Sequence, residues 1–220
     1  MELTQEQIKC VENFLSYKKL DYIDVRFEVL DHIISDIESL LEQGIPFEDA
    51  FKQSTGKWRK DLKFIHSFLL GAAISRPKIV MDKSVKIIKP YIIILFILSV
   101  LLIFLMGFND ISLNTPLISS EKISKYIIGL MYSFSALVIL GYIHIKVTKQ
   151  KTTYRFLYET QVLPMALIPL AISYPFATNN NGLNPFNSLL FILSFFLLYL
   201  GIKLYKQHFL AIKKYTYKCN

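Results

Sequence analysis

Tyr91–Phe108 reads YIIILFILSVLLIFLMGF, eighteen consecutive residues without a charged side chain. Wound as an α-helix at about 1.5 Å per residue the run is ~27 Å long, close to the ~30 Å hydrocarbon thickness of a bilayer. A soluble core in a chain of 220 residues has no need of such a run. The stretch predicts a membrane-spanning helix. Every other segment takes its meaning from which side of that helix it falls on.

Upstream and downstream differ sharply in charge. Residues 1–56 carry 5 Lys/Arg against 12 Asp/Glu, a net of −7, whereas residues 57–220 carry 20 against 5, a net of +15. The mean hydropathy of +0.38 and the 53% hydrophobic content are high for a globular protein. An acidic head on a basic, apolar body points to membrane anchoring and away from nucleic acid as the counter-charge. The start, MELTQEQ, is acidic and polar, which predicts no cleaved signal peptide. Cys10 and Cys219 stand at opposite ends of the chain and form neither a disulfide framework nor a zinc pattern.

Three further apolar stretches follow, at 126–145, 160–178 and 185–202, and the third span carries Pro164, Pro169 and Pro175. The expected architecture is therefore all-α: a small cytoplasmic helical domain followed by a four-helix transmembrane bundle. The segments are an acidic head at 1–56, a basic membrane-proximal neck at 57–90, the spans within 91–202 and a basic tail at 203–220. Nine basic residues in the neck, four in the loop KVTKQKTTYR and five in the tail put 18 on one side. Only Lys122 and Lys125 fall on the other. Basic loops stay in the cytoplasm, so both termini are expected there, with both cysteines free thiols in a reducing compartment.

The head reads as helices. Thr4 and Gln7 have capping-box spacing, and Ile8, Val11, Phe14 and Leu15 recur at helical intervals, predicting a helix over 5–19. Asp21 or Asp24 is expected to cap a second helix, in which Ile23, Phe27, Leu30, Ile34, Ile37 and Leu41 form one apolar stripe. Gly44 marks its end, Pro46 the first turn of a third helix, and a fourth helical stretch is expected near Lys57–Leu70. The mixture of basic and apolar residues through the neck suits an anionic membrane surface. From charge alone, the head is expected to dock weakly and reversibly on its own basic underside, because exposed ion pairs are screened within about 8 Å at physiological salt.

The long second helix, with Leu30-Asp31-His32 on it, is followed by Leu41-Glu42-Gln43-Gly44-Ile45-Pro46-Phe47-Glu48-Asp49-Ala50. This pattern resembles the helical domains that precede transmembrane helices in PadR-associated (HAAS-type) bacterial membrane proteins, and uncharacterised multi-pass proteins of Bacteroidetes. The resemblance covers roughly residues 4–60. It implies a regulatory or interaction module in a bacterial inner membrane and brings no catalytic residues with it.

Two groups of residues are candidates for a site. Glu28, His32 and Asp36 lie at i, i+4 and i+8 on one helix face, a spacing able to present metal ligands; the simpler expectation is a solvated face with ordinary i,i+4 pairs. Glu159, one turn after Arg155, is the ionisable residue at the edge of a span; Pro164 and Pro169 follow it and free backbone carbonyls. The simpler expectation there is an interfacial Glu159–Arg155 pair. No metal, cofactor or catalytic set is expected. The sequence therefore predicts a non-enzymatic integral membrane protein, regulatory or scaffolding in role. Its expected partners are an anionic lipid bilayer, a cytosolic or membrane protein, and possible further copies of itself. The alternative is a subunit of an oligomeric transporter or channel.

Overall fold

The computed structural model describes residues 2–108, 120–171 and 185–216. It divides into two compact units that do not follow the chain in sequence. The first gathers the chain up to Lys86, Lys149–Phe156 and the chain from Gln207 onward; the second takes Ile87–Thr148 and Leu157–Lys206.

The first unit is built on α1 (Gln5–Tyr17), α2 (Ile23–Glu42) and α3 (Phe47–Lys57). The capping box forms as expected: Thr4 N–H donates to Gln7 Oε1 at 2.9 Å, and Gln7 N–H donates to Thr4 Oγ1 at 3.3 Å. Gly44 follows the C-cap of α2 at φ 82°, a conformation that costs glycine little. The expected stripe on α2 is shifted by the structure. Val25, Val29, Ile33, Ile37 and Leu40 make the fully buried row, with Val11 and Leu15 of α1 and Ala50 of α3 in the same core. Ile23, Phe27, Ile34 and Leu41 form a half-buried second row. Two apolar rows let α2 serve two sets of neighbours, and Phe27 uses the second to stack on Tyr215 at 5.6 Å.

One expectation is overturned. The stretch near 57–70 is not a fourth helix. After α3 ends at Lys57, an antiparallel hairpin forms from β1 (Phe64–Ser67) and β2 (Gly71–Pro77), with a single 3₁₀ turn, Phe68–Leu70, at its tip. Gly71 at φ 114° makes the reversal that a helix would not tolerate. Pro77 pairs with Phe64 at the hairpin's open end, where the missing N–H costs least.

The neck is likewise no separate segment. α4 (Lys78–Phe108) begins directly after the hairpin and carries Pro90 inside it. It passes from the first unit to the second between Lys86 and Ile87. The second unit adds α5 (Ser120–Val147), one π-helical turn (Tyr158–Val162), α7 (Leu163–Ala171) and the part of α8 (Pro185–Thr216) before Gln207, whereas the short α6 (Thr153–Leu157) that hands over to the π turn belongs to the first unit up to Phe156. α7 and the π turn pack on α5. Met131 and Leu190 are buried with Ile127, Ile128, Ile168, Phe191 and Leu193 around them.

Among the described residues three helical stretches are long and apolar enough to cross a membrane: Lys78–Leu101, Lys125–Val147 and Leu189–Tyr215. The third expected span, 160–178, is described only as far as Ala171, and Pro175 lies outside the described residues. Ile94, Phe96, Ile97, Val100, Leu101 and Phe104 of α4 are exposed, an apolar surface suited to lipid and not to water.

Candidate functional site

α2 begins without a side-chain cap: Tyr22 holds the N-cap position and makes no capping bond. Asp24, expected as a cap, is used elsewhere. It is 2% exposed. Its Oδ1 accepts the backbone N–H of Thr153 at 2.8 Å, and its Oδ2 lies 3.2 Å from Lys83 Nζ. The same ammonium donates to the Asp24 carbonyl at 3.0 Å and reaches Glu28 at 3.7 Å.

Residues beside Asp24 hold the same segments. Asp21 pairs with Lys151 Nζ at 2.9 Å, and Ile23 N–H donates to the Lys151 carbonyl at 2.9 Å. The Tyr22 ring meets Phe156 edge-on at 5.8 Å, and its hydroxyl accepts from Arg76 Nε at 2.9 Å. Four consecutive residues, 21 to 24, thus tie the head to the loop 149–156, to the hairpin and to the start of α4. The loop in turn holds the end of α8. Thr152 Oγ1 accepts from Arg155 N–H at 3.0 Å, capping α6, and lies 2.8 Å from Nδ1 of the fully buried His208.

A buried carboxylate is costly unless paired and hydrogen-bonded. Asp24 meets that condition with one cation and one backbone donor, and Lys83 keeps 28% of its side chain in solvent, which lowers the cost of burying the pair. A carboxylate engaged in this way is a fastener and no free base. The expectation of loose, screened docking is corrected here: the head is bound through a buried contact. Gln150 Oε1 and Thr153 Oγ1 are buried with no hydrogen-bond partner, and Asp24 Oδ2 itself is held by the ion pair to Lys83 alone.

The face Glu28–His32–Asp36 does not converge. Glu28 turns to Lys83, His32 stacks on Trp58 at 6.1 Å, and Asp36 pairs with Lys57 at 3.0 Å and takes Ser54 Oγ at 3.5 Å. No group of three metal-ligating side chains occurs among the described residues. Arg155 belongs to the first unit, where Nη1 donates to the Gln150 carbonyl at 3.2 Å. Glu159 sits half-buried in the π turn of the second unit, with Pro164 in the first turn of α7 and Pro169 in its interior. Sequence reasoning missed Asp24, Lys83, Thr152, Thr153 and His208. Their partners lie 59, 129 and 56 residues away, beyond any local pattern.

The chain matches no family model, no curated protein and no solved structure. The buried tie at Asp24 therefore stands on its own geometry.

Proposed function

We propose that this chain is a multi-pass protein of a bacterial inner membrane whose cytoplasmic unit is a protein-interaction module acting in regulation or scaffolding. The observation that carries the reading is the tie at Asp24. It joins α2, which shows a polar exposed face at Asp31, Ser35 and Ser39, directly to α4 and to the loop 149–156, whose Thr152 meets His208 of α8; α4 and α8 both run on into the second unit. A partner held on that face is thereby connected to the membrane helices without any catalytic step.

The route of the chain supports four spans. It leaves the first unit after Lys86, returns at Lys149, leaves again after Phe156 and returns at Gln207. Two excursions through apolar helices, each beginning and ending in the first unit, are what two crossings apiece would give. The 18-to-2 division of basic residues is the ground for assigning the first unit and both termini to the cytoplasm.

A photo-crosslinking residue at Asp31, Ser35 or Ser39 in the full chain, activated in cells, tests the reading. The expected outcome is one discrete adduct with another protein, identified by mass spectrometry. No adduct from any of the three positions defeats the proposal. Adducts containing only a second copy of the chain favour the oligomeric transporter or channel instead.

A further inference from the structure

The head is acidic overall, yet one of its surfaces is not. Tyr17, Lys18 and Lys19 at the end of α1 face Leu62, Lys63 and Phe64 at the start of the hairpin across an open cleft of about 360 Å³. Three ammonium groups border it. Among the described residues none of them has a salt bridge, and the acidic residues nearest them in sequence are taken elsewhere: Asp21 pairs with Lys151 at 2.9 Å and Asp61 with Lys78 at 3.1 Å. Lys18 Nζ stands over the rings of Phe14 and Tyr17 at 5.7 and 5.3 Å, contacts that orient the ammonium without neutralising it. Lys19 has φ 55°, so the turn presents consecutive lysines in a fixed conformation.

Beside the cleft the hairpin projects apolar side chains. Phe68 at the tip is 96% exposed, Phe64 41% and Leu69 36%, and Tyr17 at the cleft wall is 79% exposed. Arg59 and Lys60 add exposed positive charge at the base of the hairpin. An aromatic tip with no protein around it, set next to uncompensated cations, matches the pattern of a segment that rests in a lipid interface. Tethering to a membrane-spanning chain keeps any such site at high effective concentration of lipid.

We propose that this cleft and tip form a binding site for an anionic phospholipid: Lys18, Lys19 and Lys63 hold the headgroup phosphate while Phe68 and Leu69 enter the acyl boundary. A free phosphate compound offers the same anion but nothing for Phe68, which is why lipid is the source chosen. The inference rests on the membrane reading above, and recovery of the folded chain in nanodiscs tests that reading separately.

The test uses the full chain with Cys10→Ser, Cys219→Ser and Ala72→Cys, the last, beside the tip, labelled with an environment-sensitive fluorophore. Ala72 is exposed, so labelling there leaves the fold alone and keeps Phe68 and Leu69 in place. The protein is placed in nanodiscs of phosphatidylcholine alone or mixed with phosphatidylglycerol, with a fraction of lipid spin-labelled near the glycerol. Quenching is expected in the mixed discs. It should fall by about half or more in phosphatidylcholine alone and in the triple variant Lys18→Gln, Lys19→Asn, Lys63→Gln, since each lysine contributes roughly a five-fold gain in anionic-lipid affinity. Asn is chosen at Lys19 because it tolerates the left-handed backbone. Equal quenching in both lipids, or none in either, overturns the proposal. Release of the probe by added inorganic phosphate overturns the choice of lipid.

Discussion

Asp24 sets what single substitutions do to the first unit. Asp24→Asn keeps the shape but removes the charge that Lys83 faces, and its amide offers only one acceptor where Thr153 N–H and Lys83 Nζ now find two. Because Lys83 can turn toward water, the expected loss is about 1–3 kcal/mol and not the larger cost of stranding a fully buried charge. In detergent the unfolding midpoint should fall by roughly 2–4 °C per kcal/mol. Thr153→Val is expected to act in the opposite direction. It deletes a hydroxyl that is buried without a partner and leaves the backbone N–H on Asp24 in place, so the midpoint should hold or rise. A fall as large as that of Asp24→Asn would show that the Thr153 hydroxyl is satisfied after all, and the account of the loop would fail.

Among the elements, the π turn and α5 come close together at Gly141. Tyr158 donates to the Val138 carbonyl at 2.7 Å, and a Cβ built on Gly141 would stand 2.7 Å from the Tyr158 hydroxyl oxygen. Glycine is therefore required there by space, not by backbone conformation. Gly141→Ala should push Tyr158 aside and destabilise the second unit by roughly 1–3 kcal/mol. Tyr158→Phe removes the offending oxygen, so the double variant should be less destabilised than the two single costs added, a coupling that a thermal double-mutant cycle measures. Additive losses would refute the contact.

Much at this scale was legible in the sequence. Thr4 and Gln7 announce the start of α1, and Gly44 the end of α2, because caps are local bonds between near neighbours. The hairpin was not legible. Phe64, Ile65, Phe68, Leu69 and Leu70 fit a helical spacing as well as an extended one, and a short apolar run does not distinguish the two. The deciding facts are the left-handed Gly71 and the pairing of Ile65 with Arg76, which brings Arg76 to Tyr22. The candidate site was illegible for a similar reason. Asp24 looks like any cap in a first turn until its distant partners are known.

For the whole molecule, the proposed topology makes a prediction that needs no knowledge of activity. Reporter fusions at Gly56, Gln150 and the C-terminus should report a cytoplasmic location, and fusions at Thr115 and Asn181 an external one. A reversed signal at Gln150 would break both the four-span arrangement and the route by which the loop 149–156 reaches α2.

The distance along the chain between Asp24 and Thr153, 129 residues, has a consequence for how the protein is made. At ~5–20 residues per second, Asp24 emerges from the ribosome on the order of ten seconds before the amide it binds, and His208 follows later still. In that interval Asp21 and Asp24 have no seat on the loop, although Lys83, 59 residues on from Asp24, is already made. They find one only if the intervening helices have been inserted so that the loop comes back to the side on which the head waits. On the proposed topology, a chain threaded the wrong way would leave Asp21 without Lys151 and Asp24 without the Thr153 amide. On that topology, the fastener of the finished protein would also proofread its own insertion, closing fully only on correctly threaded copies.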